Sequence, residues 1–447
     1  MTKITIMGAG STYFAKNILG DCLLTDVLRD AQYALYDTDP DRLDEAYKMM
    51  TNLNKNINGN RAQITPFLAI RNRRAALRGS DYIINTVQVG GYDPSTKVDF
   101  EIPRKYKLNQ CMGDNFGIGA IFRALRSIKV LEGFANDIRA VCPNAWVLNY
   151  SNPLSILTGH LLHHGGVKCI GLGSSEAQAV NRLLEGLEMA DKYSPANFSV
   201  AGIHEMAWLL KIHKAGKDLY PEIKKAAEKK NRNARKKDGV KHDDMVALEL
   251  LKQFGYYSTG SSSQLVDAVP SFASNFAPEL AADFNVKVDE YLNLCQSQIQ
   301  AWRKQRDAVT KNTKLSHTRS SEYAADVLRA FITNEPCEIN ANIINNGLIS
   351  NLPKDAVVEV PCLVNASGVH GCFIGDLPPA CAALNMTQVT IQSLVINAAV
   401  TLSRSTVYEA AMLDPRTRSE LSLDEIRAMC DELFDAHMRD GMLTVYN

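Results

Sequence analysis

Near the start of the chain, two glycines and two hydroxyl side chains stand where an apolar strand gives way to a helical pattern: Gly8, Gly10, Ser11 and Thr12 in the run ITIMGAGST. The first glycine permits a tight turn, and the second lets the backbone approach a pyrophosphate. Amides at the start of the following helix then face the phosphate, assisted by the helix dipole. Asp37, at the expected end of the second strand, can accept hydrogen bonds from both ribose hydroxyls and would repel a 2′-phosphate, which favours NAD over NADP. The third glycine of the usual fingerprint is missing, with Tyr13 in its place. A strand–turn–helix without a ligand is the other reading of the same residues.

Further candidates follow along the chain. Asn152 precedes Pro153 just past an expected strand end, and Asn149 stands at that strand end itself. Both read as substrate contacts, while Asn152 also suits a helix cap. Asp114, Gly117 and Gly119 make a turn before a helix, either near the nicotinamide or purely structural. Asp99 and Glu101 line the pocket or a solvated loop. His204 and Glu205 fall between two expected strands. An imidazole with an unperturbed pKa near ~6.5 suits proton transfer, and a hydrogen-bonded strand histidine is the plainer alternative.

These residues need a scaffold. Apolar runs at 3–7, 33–36, 64–68, 82–86, 146–149 and 169–172 alternate with helical patterns from about 12, at 40–54 and at 121–141. Such alternation predicts an α/β fold with a parallel sheet covered on both faces. Near residue 200 the texture changes, with consecutive strands expected at 198–203 and 206–212. The basic stretch 224–237 reads as a solvated helix end or loop, because no aromatic residues interleave with its charges. The remainder is mostly helical, with strands expected at 356–364 and 369–374. The predicted organisation is an NAD-binding Rossmann-like domain over 1–200 and an α+β substrate and oligomerisation domain over 201–447.

Composition narrows the function. With 49 Lys+Arg against 49 Asp+Glu, no net field draws nucleic acid or an anionic membrane. Ten cysteines are scattered without a CxxC pair, which predicts reduced thiols and a cytoplasmic protein. No signal-peptide pattern opens the chain, and no apolar stretch approaches the ~20 residues that span a bilayer.

The segments GAGSTYFAKNILGD (8–21), YDTDPDRL (36–43), VGGYDPSTKVDFEIPRKYKL (89–108), GDNFGIGAIFRALRSI (113–128), NYSNPLS (149–155), AGIHEMA (201–207) and GLISNLPKDAVVEVPCLVN (347–365) follow one another along nearly the whole chain. Together they resemble glycoside hydrolase family 4, the NAD-dependent glycosidases, and most closely its bacterial α-galactosidase branch. The resemblance implies a lactate-dehydrogenase-like Rossmann domain joined to an α+β domain, in a homodimer or homotetramer. It also implies a route outside the usual two-carboxylate scheme: a hydride leaves sugar C3, a base removes the C2 proton, the C1 group departs, water adds and the hydride returns. Asn152 would touch sugar hydroxyls. The α-galactosidase branch implies an unphosphorylated sugar, and no basic phosphate clamp stands in the matching segments.

The chain departs from the family at the metal site. Gly173, in Gly171-Leu172-Gly173-Ser174-Ser175, stands where the family has a cysteine thiolate. In Gly202-Ile203-His204-Glu205, an ungapped match puts His204 on an asparagine and Glu205 on a histidine, while a one-residue shift would leave His204 as a ligand. Manganese held weakly by His204 or Glu205 is one expectation. Direct acid/base work by His204 or Glu205 without a metal is the other. Tyr256, in the retained Gly255-Tyr256-Tyr257, is a further catalytic candidate, whereas Gln264 and Ala268 replace expected functional residues. The expected function is an NAD-dependent glycosidase. The alternatives are an NAD-dependent dehydrogenase of a sugar or hydroxy acid, which the placement of His204 51 positions after Asn152-Pro153 also suits, and an NAD-binding protein with a decayed site.

Overall fold

The structure is a computed structural model that describes residues 1–173, 176–312 and 314–447, leaving out the side chains of Thr12, Tyr13 and Phe14. Its strands are β1 (Lys3–Met7), β2 (Gln32–Asp37), β3 (Gln63–Leu68), β4 (Tyr82–Asn85), β5 (Trp146–Asn149), β6 (Lys168–Gly171), β7 (Asn197–Ile203), β8 (Met206–Lys214), β9 (Lys217–Asp218), β10 (Tyr257–Ser258), β11 (Cys337–Ile344), β12 (Val357–Asn365) and β13 (Gly368–Gly371). The first six pair in parallel in the order β3-β2-β1-β4-β5-β6. The order reverses between β1 and β4, and in doubly wound sheets a ligand sits in the crevice outside the carboxyl ends at that point.

Alternation within the strands sorts their side chains onto two faces. Ile84, Leu148 and Ile170 join one buried cluster, and their neighbours Ile83, Val147 and Cys169 join the other. Burial on both faces is why these strands read as short apolar runs rather than as apolar–polar alternation.

The C-terminal strands extend the same sheet in antiparallel fashion. β11 pairs with β6, and the order continues β11-β12-β7-β8-β10, with β13 on β12 and β9 on β8. A row of paired positions therefore crosses the junction: Gly171, Asn342, Glu359, Gly202 and Ala207.

Most expected elements are present with modest shifts, and three differ. β11 was not expected, because its polar positions Glu338, Asn340 and Asn342 disfavour a strand on propensity. The two asparagines are buried and bonded, Asn340 Nδ2 donating to the Val200 carbonyl at 3.1 Å and Asn342 Nδ2 to Glu359 at 2.8 Å. The helix expected at 121–141 begins earlier, as Gly117–Val141, so Gly117 and Gly119 occupy its first turn rather than a turn before it. The final strand stops at Gly371, not at 374. The basic stretch 224–237 falls on the end of the helix Tyr220–Ala234 and the residues after it.

Candidate active site

The glycine turn closes on Asp37. Gly8 has φ of +85°, and the Gly8 and Ala9 amides both donate to the Tyr36 carbonyl at 3.0 Å. A Cβ on Gly10 would lie 2.6 Å from Arg42 Cβ and 2.8 Å from Asp37 Oδ2, so no side chain fits there. Asp37 Oδ2 accepts from the Gly10 amide at 2.7 Å, and its Oδ1 accepts from the Thr38 and Asp39 amides at 2.8 and 3.0 Å. Asp37 thus shapes the turn from the end of β2. Ser11 caps the helix Thr12–Leu24 without a side-chain bond, and that helix has no acidic residue in its first turn. Its leading amides are left for an anion. These residues fit a dinucleotide. Thr12, expected beside them, has its side chain outside the described residues.

His204 and Glu205 form the two-residue turn of the β7–β8 hairpin, closed by the Ile203–Met206 pair, with Glu205 at φ of +63°. The hairpin is held from behind by Asn385, which accepts from Trp208 Nε1 and donates to the Met206 carbonyl, both at 2.8 Å. His204 Nε2 lies 3.1 Å from Glu205 Oε1, and Nδ1 lies 3.2 Å from Glu359 Oε2. Burial alone would push the imidazole pKa down, but the charges and hydrogen bonds of Glu205 and Glu359 carry it up to about 10. Glu359 also accepts from Asn342 and hydrogen-bonds Glu176, whose Oε2 accepts from the Tyr323 hydroxyl at 2.9 Å. Burial and the neighbouring Glu359 charge raise Glu176 far above the carboxylate range, so Glu176 keeps a proton and Glu359 stays ionised beside His204. A cavity of about 110 Å³ opens against this cluster, lined among others by Glu176, Arg182, His204, Glu205, Gln264 and Glu359.

Asp114 and Asn152 meet: Asn152 Nδ2 donates to Asp114 Oδ2 at 2.9 Å. Asp114 Oδ1 is buried without a hydrogen-bond partner among the described residues. Burial lifts the Asp114 carboxyl to about 6 against the opposing pull of Arg123, a value suited to proton transfer near neutrality. Arg123 donates from Nε to the Asn152 carbonyl at 3.1 Å and from Nη1 to the Tyr291 hydroxyl at 2.6 Å. The loop before Asp114 is fixed by Asp267, whose carboxylate accepts from the amides of Cys111, Met112 and Gly113 at 2.9, 2.7 and 2.8 Å.

Other expected residues lie elsewhere. Asn149 is fully buried, and its amide is spent on Asn85, Ser151 and Thr158 behind the crevice. Tyr256 packs edge-on against Tyr220 of the helix Tyr220–Ala234, with Lys224 over its ring, and does not line the cavity. Asp99 is bonded through both oxygens to Arg126, at 3.0 and 2.6 Å, and Glu101 is exposed. Gln264 makes the capping box of the helix Ser262–Ala268 and lines the cavity from there. Sequence reasoning missed Glu359, Glu176, Arg123 and Arg182. The first carries a readable signal, a lone charge in the apolar run Val357-Val358-Glu359-Val360.

The residues at the expected metal position do not fit a divalent ion. Gly173 brings no donor atom, and both His204 nitrogens are committed to carboxylates. Among the described residues, no group of three or more His, Cys, Asp or Glu side chains is placed to hold a metal. Ser174 and Ser175 of the same motif lie outside the described residues.

Fold and site together define a dinucleotide-dependent enzyme of the Rossmann class that handles a small polar molecule. The Family 4 glycosyl hydrolase model matches residues 3–189, and the Family 4 glycosyl hydrolase C-terminal domain model matches residues 200–417. An alpha-galactosidase of Bacillus subtilis (strain 168) is 47% identical over 440 residues, covering 98% of both chains. Two solved structures share the fold. A 6-phospho-alpha-glucosidase from gut microorganisms in complex with NAD and Mn2+ has a TM-score of 0.78 at 20% identity, covering 100% of both chains. A Thermotoga maritima 6-phospho-beta glucosidase with manganese, NAD+ and glucose-6-phosphate has a TM-score of 0.75 at 18% identity, covering 98% of this chain and 99% of that one. The chain belongs to glycosyl hydrolase family 4. It is an NAD-dependent glycoside hydrolase on a Rossmann sheet extended by a second, α+β part.

Proposed function

We propose that the substrate is a small, unphosphorylated α-galactoside. The single observation that carries this reading is 47% identity to an alpha-galactosidase along 98% of both chains. The Gly8–Ser11 turn and Asp37 would hold NAD, which would supply transient oxidation of a sugar carbon. The protein's part is positioning and charge. Asp114, with a carboxyl at about 6, holds or releases a proton on its unpartnered Oδ1. Asn152 donates to Asp114 and keeps its own amide oxygen for a sugar hydroxyl. His204 and Glu205 place a fixed pair of opposite charges at the edge of the cavity.

We propose the same two-part division, 1–200 and 201–447, supported by the matched ranges 3–189 and 200–417. We also propose a cytoplasmic homodimer or homotetramer without nucleic-acid or membrane partners. Ten unpaired cysteines suit a reducing compartment, and the exposed apolar side chains of Phe373 and Leu363 suit contact between copies.

The deciding experiment is turnover of nitrophenyl α-galactoside, its β-anomer and its 6-phosphate, each with and without NAD. The expected result is α-selective release that requires NAD, accumulates no net NADH and leaves deuterium at product C2 when run in deuterium oxide. Net NADH would instead identify a dehydrogenase, and NAD binding without turnover of any glycoside a decayed site.

A further inference from the structure

The helix Glu290–Thr310 belongs to the second half of the chain but is fastened to the first. Its N-terminal end is anchored: the Asp289 and Tyr291 amides donate to the Gln110 and Cys111 carbonyls at 2.9 and 3.0 Å, and the Tyr291 hydroxyl accepts from Arg123 at 2.6 Å. Further on, Gln296 Nε2 donates to the Tyr92 hydroxyl at 2.6 Å, and Trp302 Nε1 donates to Glu45 Oε2 at 2.8 Å. Arg306 adds a contact to the same carboxylate, 3.6 Å from Nη1 to Oε1, and Asn52 holds the far end by donating to the Thr310 carbonyl at 2.7 Å. Tyr92 and Glu45 flank the glycine turn. Tyr92 lies in the segment after β4 whose Val87 backbone packs on Gly8, and Glu45 stands one helical turn after Arg42, whose Cβ closes on Gly10. The rise from Gln296 to Trp302 is about 9 Å. β2 and β4 stand on either side of β1, two strand spacings or about 9.5 Å apart. The helix therefore passes over the carboxyl end of β1, above the glycine turn. Its packing there is light. None of its residues is fully buried, and Tyr291, Cys295, Ile299 and Trp302, which share one face at helical spacing, are half-buried. An element fastened by a few polar contacts opens at lower free energy than the sheet beneath it.

We propose that this helix is the outer wall of the nucleotide site, a strap that NAD must displace to leave, with Glu45 as its latch. The glycine turn, Asp37 and the leading amides of the helix Thr12–Leu24 make the inner wall, and the strap crosses opposite them. A half-exposed face carrying Ile299 and Trp302 opposite a phosphate-binding turn suits the flat rings of a dinucleotide, which would bury that face further. The purpose rests on the glycosidase reading: a hydride that returns to the sugar leaves the cofactor unchanged, so NAD stays through many cycles while only sugars enter and leave. One carboxylate serves two donors of the strap, Trp302 and Arg306. Releasing it frees the stretch above the glycine turn and leaves the Tyr291 anchor, and with it Arg123, Asn152 and Asp114, in place.

Two measurements test this, and neither needs turnover. Hydrogen exchange of the intact chain should show the amides of 295–306 slowed about tenfold or more by saturating NAD, as expected when a ligand holds a locally opening element shut. Dissociation of NADH, followed by its fluorescence after mixing with excess NAD, should be about tenfold faster from Glu45→Ala, the effect of losing a hydrogen bond to a charged group. Glu45→Gln, which keeps an acceptor for Trp302, should recover most of the wild-type rate. Equal rates from the wild-type chain and Glu45→Ala, or exchange over 295–306 indifferent to NAD, would overturn the proposal. The exchange measurement needs no variant, so it decides the matter even where Glu45→Ala does not fold. Failure of every galactoside would reject the substrate reading, and unchanged NAD affinity in Asp37→Ala would reject the inner wall. Exchange and dissociation rates judge the strap separately from both.

Discussion

At the residue scale, Asp37 was readable as a ribose candidate because a carboxylate after a second strand has few other uses. Its structural bonds add a second role, since Gly10 is held by the same oxygen that would face a ribose. Asp37→Ala should therefore weaken NAD binding at least tenfold and narrow the gap to NADP, measured by fluorescence titration with both nucleotides. Unchanged affinity for both would remove Asp37 from the pocket. His204 was legible as a candidate but its state was not, because Glu359 and Glu176 reach it from β12 and from the helix Glu176–Gly186, far away in sequence. That state sets a pH dependence. With a pKa of about 10 in the folded protein against ~6.5 unfolded, His204 contributes stability fully below the unfolded value and loses it as pH rises through the folded one. The groups facing it are Glu205, Glu359 and Asp114, with protonated Glu176 behind Glu359 and Arg182 beside the cavity. Asp114, raised to about 6, acts in the same sense over a lower range, from 3.8 to about 6. Melting temperatures between pH 7 and pH 10 should fall more steeply for the wild-type chain than for His204→Gln. Parallel curves would mean that His204 is not an imidazolium in the fold.

At the element scale, the parallel half was readable because all of its strands but the exposed β3 are buried on both faces and separated by helices, which concentrates apolar residues into short runs. The junction was not. β11 carries Asn340 and Asn342 inward, toward Val200 and Glu359, so its pattern reads as a loop until the partners are known. The same holds for the helices that brace the site. Arg126 and Asp99 are both buried and bonded by two hydrogen bonds, and His437 of the C-terminal helix Leu423–Arg439 adds a third contact to Asp99 at 2.9 Å. Read from sequence, Asp99 belonged to a pocket or to a solvated loop. In the structure it fastens the helices Lys97–Lys105, Gly117–Val141 and Leu423–Arg439 to one another. Arg126→Leu strands a carboxylate in the interior. It should cost about 3–5 kcal/mol of stability, the range for breaking a buried ion pair, read as a lower midpoint in urea. A loss under about 1 kcal/mol would mean that Asp99 takes up a proton and that His437 alone suffices.

At the scale of the whole molecule, the row from Gly171 through Asn342 and Glu359 to Gly202 matters more than the division near residue 200. The glycine turn lies at the end of β1, while His204 lies at the end of β7, on the far side of the junction. The proposed reading brings both to one sugar, and on that reading the two halves keep a fixed register. A shared sheet supplies that register through backbone hydrogen bonds, and one of the two buried clusters joins Ile4 and Ile6 of β1 to Val200 of β7 and Val358 of β12. Breaking the sheet at β6–β11 would expose the sides of both halves to water. We therefore expect the halves to unfold together although the glycine turn and Asp37, proposed to hold NAD, lie in only one of them. Calorimetry should show a single transition without nucleotide. NAD at about 100 times its Kd should stabilise the whole chain by about 2.7 kcal/mol and shift that one transition upward. Limited proteolysis gives the same comparison site by site. Cleavage near 235–240, in the second half and far along the chain from the glycine turn, should slow when NAD is added. Two separate transitions, with only the first moved by NAD and cleavage of the second half unaffected, would show that the halves are thermodynamically independent. His204 would then be carried on a part that moves independently of the glycine turn rather than on one continuous sheet.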